Sequence, residues 1–174
     1  MSTNVMVDLE TLGTGSNDVN IAIGAVEFCK DVGLGRSFYE VIDPQSCVDQ
    51  GLKMDVSTVM WWMKQSDAAR AAFDQPSRHV NAVLLDFASW FPGGAALWGN
   101  GATFDNVILN NAYESARINR PWERWSDRCY RTLKNLRPDI KLDRDGTHHH
   151  ALDDAKTQAL HAIQIFKAME GVKP

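Results

Sequence analysis

Two carboxylates separated by one residue, Asp8 and Glu10 in "VMVDLETLG", stand at the end of an otherwise apolar run. Alternation along a strand puts positions 8 and 10 on the same face. Two acids so placed repel each other unless a cation lies between them, and hard carboxylate oxygens suit magnesium or manganese. A third acid, Asp105 in "WGNGATFDNVIL", opens a helix that follows a short buried strand. An acid there is favoured by the helix dipole, but it also stands at the C-terminal edge of a sheet, where α/β proteins build sites. The stretch "THHHALDDA", residues 147 to 155, gathers three of the five histidines just before two more acids, Asp153 and Asp154. Two pairs share the same five-residue offset, His148 with Asp153 and His149 with Asp154. A polar loop entering a helix is the plain structural alternative for this stretch.

The elements that would position these residues follow from periodicity. The segment from residue 4, then "VNIAIGAVEF" and "RSFYEVI", are predicted strands, with "LGTGSND" as the first turn. Connections this short make an antiparallel meander. "STVMWWMKQSDAARAAF" reads as helical with Ser57 as its cap and Ser66 as a second cap. "SRHVNAVLLDFASWF" is a helix stopped by Pro92-Gly93-Gly94, "AALWGNG" a buried strand, and "TFDNVILNNAYESAR" an amphipathic helix. A further helix is expected from Asp127 to about Leu136. The last runs from about Ala151 to Met169, with Leu152, Ala155, Ala159, Ala162, Ile163 and Phe166 as its apolar stripe. The class is α/β, a mixed sheet with helices packed on it, in one domain spanning 1–174.

Net charge of −4 argues against a protein that coats nucleic acid. The distribution is uneven, however. Arg117 to Arg144 holds nine basic residues and four acids, a local +5 that could steer a phosphate backbone. Three cysteines without metal-type spacing fit reduced thiols in a cytoplasm, and no apolar run suggests a membrane span. "LGTG" is not a nucleotide loop, because G-x-G-x-x-G is incomplete and the glycines lead into a strand.

The three acidic stretches, taken in order, resemble the three exonuclease motifs of the DEDDh 3′–5′ exonucleases. "DLETLG", "MDVSTVMWWMKQS", "WGNGATFDNVIL" and "HHALDDA" are most similar to the small bacterial and phage RNase AS-like, DexA-like and exodeoxyribonuclease VIII-like enzymes. The family pattern H-x-A-x-x-D-A is met by His149, Ala151, Asp154 and Ala155, and so selects His149 with Asp154.

The resemblance implies a ribonuclease H-like fold and two divalent metal ions, Mg2+ or Mn2+, on Asp8, Glu10, Asp105 and Asp154. It implies His149 as general base and 5′-nucleoside monophosphates as products. Thr11 and Leu12, just after the first motif, become candidates for the terminal nucleotide. Trp61, Trp62 and Phe104 could stack on bases, one of the adjacent tryptophans being core, and Arg128 and Arg131 could form a basic wall. The expected partner is single-stranded or 3′-overhang DNA or RNA, with a homodimer left open and no membrane. A non-catalytic binding module on the same fold, a ribonuclease H-type endonuclease and a transition-metal site on His148–His150 remain the alternatives.

Overall fold

The computed structural model describes residues 3–144 and 146–170. Strands β1 (Asn4–Thr11), β2 (Asn20–Cys29) and β3 (Gly33–Val41) form the antiparallel meander. Helices α1 (Pro44–Asp49), α2 (Val56–Trp62), α3 (Asp67–Arg70) and α4 (Val80–Trp90) follow. Then come β4 (Ala96–Gly99), a π-helical turn at Ala102–Asn106, α5 (Val107–Ala116), β5 (Asp127–Cys129), α6 (Tyr130–Leu136) and α7 (Ala151–Glu170). The sheet order is β3-β2-β1-β4-β5, with β4 parallel to β1 and β5 parallel to β4. This is the mixed sheet expected.

Helices cover both faces, and alternation along β1 assigns its side chains to them. Val5, Val7 and Leu9 join the core formed with Val83, Leu84 and Phe87 of α4 and Ile108 and Leu109 of α5. Met6 points the other way, into a second core with Ala155, Ala159 and Ala162 of α7. Asp8 and Glu10 continue the Met6 face, so the acids of β1 look toward the last helix. α7 comes close because its contact residues are mostly alanines and because β2 carries Gly24 opposite Asp8. A Cβ on Gly24 would overlap the Ala151 carbonyl carbon and the Leu152 nitrogen.

Three local expectations are corrected. The helix expected from Asp127 begins only at Tyr130; residues 127–129 pair with Leu97, Trp98 and Gly99 as an edge strand. Three residues are too few to show a strand period. The cap of α2 is Asp55, whose Oδ1 accepts from the Ser57 N–H at 2.9 Å, whereas Ser66 does cap α3, accepting from the Ala69 N–H. The segment expected as one amphipathic helix opens with the π turn, a form that recurs at functional sites. Among the described residues, no helix is long and apolar enough to cross a membrane.

Candidate active site

A cleft of about 540 Å³ opens over the C-terminal ends of β1 and β4, under the start of α7. It is lined by Asp8, Glu10, Thr11, Trp61, Trp62, Phe104, Asp105, Arg131, His149 and Asp154, all expected from the sequence to serve the site. Two expected residues lie outside its lining. Leu12 is buried in the core beneath. Arg128 is exposed on β5, with Nη1 donating to the Trp125 and Asp127 carbonyls at 2.7 and 2.9 Å.

Asp8, Glu10 and Asp154 each bring a carboxylate oxygen within 4.8 Å of the others. Glu10 is 7% exposed, and its Oε1 is buried with no hydrogen-bond partner among the described residues. Asp8 Oδ1 accepts from Gln158 Nε2 at 2.7 Å. Asp105 is 2% exposed and reaches the site from the π turn, accepting from the Leu9 N–H at 3.2 Å. β4 pairs with β1 only as far as Met6–Trp98, so the Asp105 carboxylate takes a β1 donor beyond the end of that ladder. The turn can fold back this tightly because residue 99 is glycine. A Cβ there would run into the Asn106 side-chain oxygen and the Asp105 Cβ.

Asp154 is held on two sides. The His149 N–H donates to Oδ2 at 3.0 Å, and Arg144 Nη1 pairs with Oδ1 at 2.8 Å. The neighbouring Asp153 turns away and accepts from the Thr147 N–H at 2.9 Å. The two acids thus divide the labour: Asp153 anchors the loop and Asp154 joins the acidic cluster. His149 has the left-handed φ of +62° that this hooked loop requires. Its ring meets Trp61 edge-on at 4.9 Å, with Trp62 behind at 6.1 Å. His150 stacks on Tyr39 at 4.6 Å instead. The ligand atoms of His148, His149 and Asp154 also lie within 4.8 Å of one another, so the histidine run and the acidic cluster meet at Asp154.

Mutual repulsion and burial are visible in the protonation equilibria. Glu10 is pushed up to about 8, by burial first and then by Asp154 and Asp105. Asp105 is pushed up to about 7 by burial, against the backbone donors of Leu9 and Asn100 and the charge of Arg131. Asp8 is held well above the carboxylate range by burial and by Asp105, Glu10 and Asp154. His149 is lowered, by burial and then by His148, with Asp154 opposing. Three crowded carboxylates with Arg144 as their one ion-pair partner among the described residues, and one carboxylate with an orphaned buried oxygen, form a donor set suited to divalent cations.

The adjacent tryptophans divide as helix geometry demands. Trp62 is 5% exposed and donates from Nε1 to the Thr11 carbonyl at 2.8 Å, while Trp61 is 41% exposed. Sequence reasoning missed Gln158, Arg144 and Asn100, all part of the cleft lining. Gln158 lies one helical turn beyond Asp154, on the same face of α7, and that spacing was the available signal.

The architecture is that of known nucleases. The nuclease domain of 3′hExo, a DEDDh family member solved bound to rAMP, matches with a TM-score of 0.67 at 15% identity, over 96% of this chain and 92% of that one. E. coli Exonuclease I in complex with a dT13 oligonucleotide matches at 0.63 and 17%, over 98% of this chain. This chain spans only 41% of that enzyme's length. Exonuclease X, solved with 5′ overhanging duplex DNA, matches at 0.60 and 19%, over 97% and 93%. None of the curated proteins matches the chain. These likenesses define the fold as that of the DEDDh exonucleases, the ribonuclease H-like arrangement. Residues 3–166 match the model of the 3′-5′ exoribonuclease Rv2179c-like domain, and the chain belongs to that family. It is a 3′–5′ exonuclease.

Proposed function

We propose that this cleft removes nucleotides one at a time from the 3′ end of single-stranded or 3′-overhang nucleic acid, releasing 5′-nucleoside monophosphates. Convergence of Asp8, Glu10 and Asp154, with His149 hooked to Asp154, carries the proposal. Asp8, Glu10, Asp105 and Asp154 would hold two divalent cations, magnesium or manganese. When bound, such ions acidify water and neutralise charge on the phosphate during in-line displacement.

The protein's own groups do the rest. Burial and His148 lower His149, which favours the neutral imidazole that can accept a proton. Water oxygen bonds to phosphorus, its proton passes to the imidazole, the bond from phosphorus to the 3′ oxygen of the shortened strand breaks, and that oxygen takes a proton from solvent to leave as the 3′-hydroxyl. Trp61, exposed at the wall of the cleft, presents an indole to the terminal base, while Trp62 buttresses it and fixes the backbone at Thr11. Arg131, tied to the Asn100 carbonyl at 2.7 Å, faces the phosphate side of the cleft.

The test is digestion of 3′-labelled RNA and DNA with Mn2+. Wild type should release labelled mononucleotide and leave a closed circle intact. Asp8→Ala should abolish release, and turnover persisting in that variant would exclude this site. Cleavage of the circle would instead indicate an endonuclease.

A further inference from the structure

The chain has ten arginines. Arg36, Arg70, Arg78, Arg137 and Arg144 each pair with a carboxylate. The other five, Arg117, Arg120, Arg124, Arg128 and Arg131, are consecutive among the arginines, and among the described residues none has a carboxylate partner. Three of them lie on or beside the edge strand β5, in the segment that runs from Arg124 through β5 into α6. Arg131 lines the cleft. Three residues back, Arg128 directs its hydrogen bonds to the carbonyls of Trp125 and Asp127, which leaves its charge uncompensated. Arg124, four residues earlier, is exposed as well. Of the two nearby carboxylates, Asp127 is turned inward, accepting from Asn106 Nδ2 at 2.8 Å and Trp122 Nε1 at 3.1 Å, and Glu123 is exposed and, among the described residues, forms no ion pair with these arginines. Between Arg124 and Arg128 in the chain stands Trp125, 77% exposed, its carbonyl accepting from Arg128 Nη1. The indole three residues earlier, Trp122, is by contrast buried. β5 is an edge strand, so among the described residues no further strand covers this surface.

We propose that Trp125, Arg124 and Arg128 form a track for the upstream part of a single-stranded nucleic acid whose 3′ end lies in the cleft. Uncompensated guanidiniums match a phosphate backbone, and an exposed indole offers a sequence-tolerant stacking face. The track gives a net-acidic protein a local means of holding a polyanion. It rests on the exonuclease reading of the cleft, but it makes a distinct demand: affinity must grow with strand length.

Binding in EDTA, where hydrolysis is prevented, tests this apart from catalysis. Labelled RNA and DNA strands of about 12 nucleotides are compared with trinucleotides by fluorescence anisotropy. Trp125→Ala should weaken the longer strand about tenfold, and Trp125→Phe should restore most of it. Arg124→Ala should lower the slope of log affinity against log salt by about 0.7. Both variants should bind the trinucleotide as wild type does. Equal affinity of wild type and both variants for the longer strand would overturn the track and assign the arginines to protecting a sheet edge. Displacement of the strand by oligoglutamate at equal charge concentration would also overturn it, pointing to an acidic protein partner. Absence of cleavage with length-dependent binding intact would refute the cleft reading while supporting the track.

Discussion

Arg144 Nη1 lies 2.8 Å from Asp154 Oδ1. The guanidinium is half exposed and the carboxylate mostly enclosed, so a cation from the loop sits on an oxygen of the acidic cluster. That places Arg144 in competition with a divalent ion for the same oxygen. Arg144→Ala should therefore tighten Mn2+ binding several-fold in a calorimetric titration. An unchanged or weaker affinity would mean that Arg144 helps to form the site.

The raised carboxyls make stability depend on pH in a defined direction. Glu10 moves from an ordinary value of 4.5 to about 8, and Asp105 from 3.8 to about 7. Below the ordinary values both are protonated, folded or unfolded, and stability is unaffected. Above them the unfolded chain sheds protons that the folded one retains, so folding free energy falls as pH rises from about 4 to about 8. In EDTA, Tm should decline across this window. Mn2+ should raise Tm, and more at pH 8 than at pH 5. A metal-free Tm that climbs between these limits would contradict the assignment.

Glu10→Gln separates stability from activity. The substitution removes a buried carboxyl whose charged form three carboxylates repel, so the metal-free protein should melt higher and lose part of its pH slope, the share of Asp8 and Asp105 remaining. Nuclease activity should fall about a hundredfold or more, the scale expected for loss of preorganised electrostatic groups. Melting at a lower temperature than wild type in EDTA would show that Glu10 has an undetected partner.

Gln158 positions Asp8 by the 2.7 Å bond to Oδ1. Gln158→Leu keeps the volume and removes the donor. Metal affinity or kcat should drop roughly 10–100-fold, as for other residues that orient a ligand, with little change in substrate KM. A change confined to KM would place Gln158 against the substrate instead.

Gly24 is where β2 admits α7, since a Cβ would collide with backbone atoms of Ala151 and Leu152. Gly24→Ala should cost roughly 1–3 kcal/mol and move Asp154 away from Asp8, lowering activity more than the stability loss explains. Gly93→Ala, with open space around it, should have little effect. Equal behaviour of the two variants would sink the idea that close packing of α7 sets the acidic cluster.

How much was legible without coordinates depended on the length scale of each feature. Long elements carried their period openly: the meander, α4, α5 and α7 lie close to where apolar spacing predicts them. β5 was hidden because three residues cannot display alternation and its pairing partner is Leu97–Gly99, thirty positions away. The cap of α2 was misplaced because Asp55 and Ser57 both suit a cap, and only the donor geometry distinguishes them. Residue types and order pointed to Asp8, Glu10, Asp105, Asp154 and His149, since carboxylates at the ends of apolar elements need a reason and the histidine offset met a known pattern.

The linear chain by itself determined the inventory: which acids, which imidazoles and which faces of β1 and α7 carry them, because side-chain period is a local property of the backbone. Only tertiary structure decided who touches whom. Gln158 reaches Asp8 across 150 positions, Asp105 takes the Leu9 N–H across 96, and Arg131 lines the cleft while Arg128 faces outward. Those choices depend on how closely two packed elements approach, which at Gly24 and Gly99 turns on the absence of a single carbon atom.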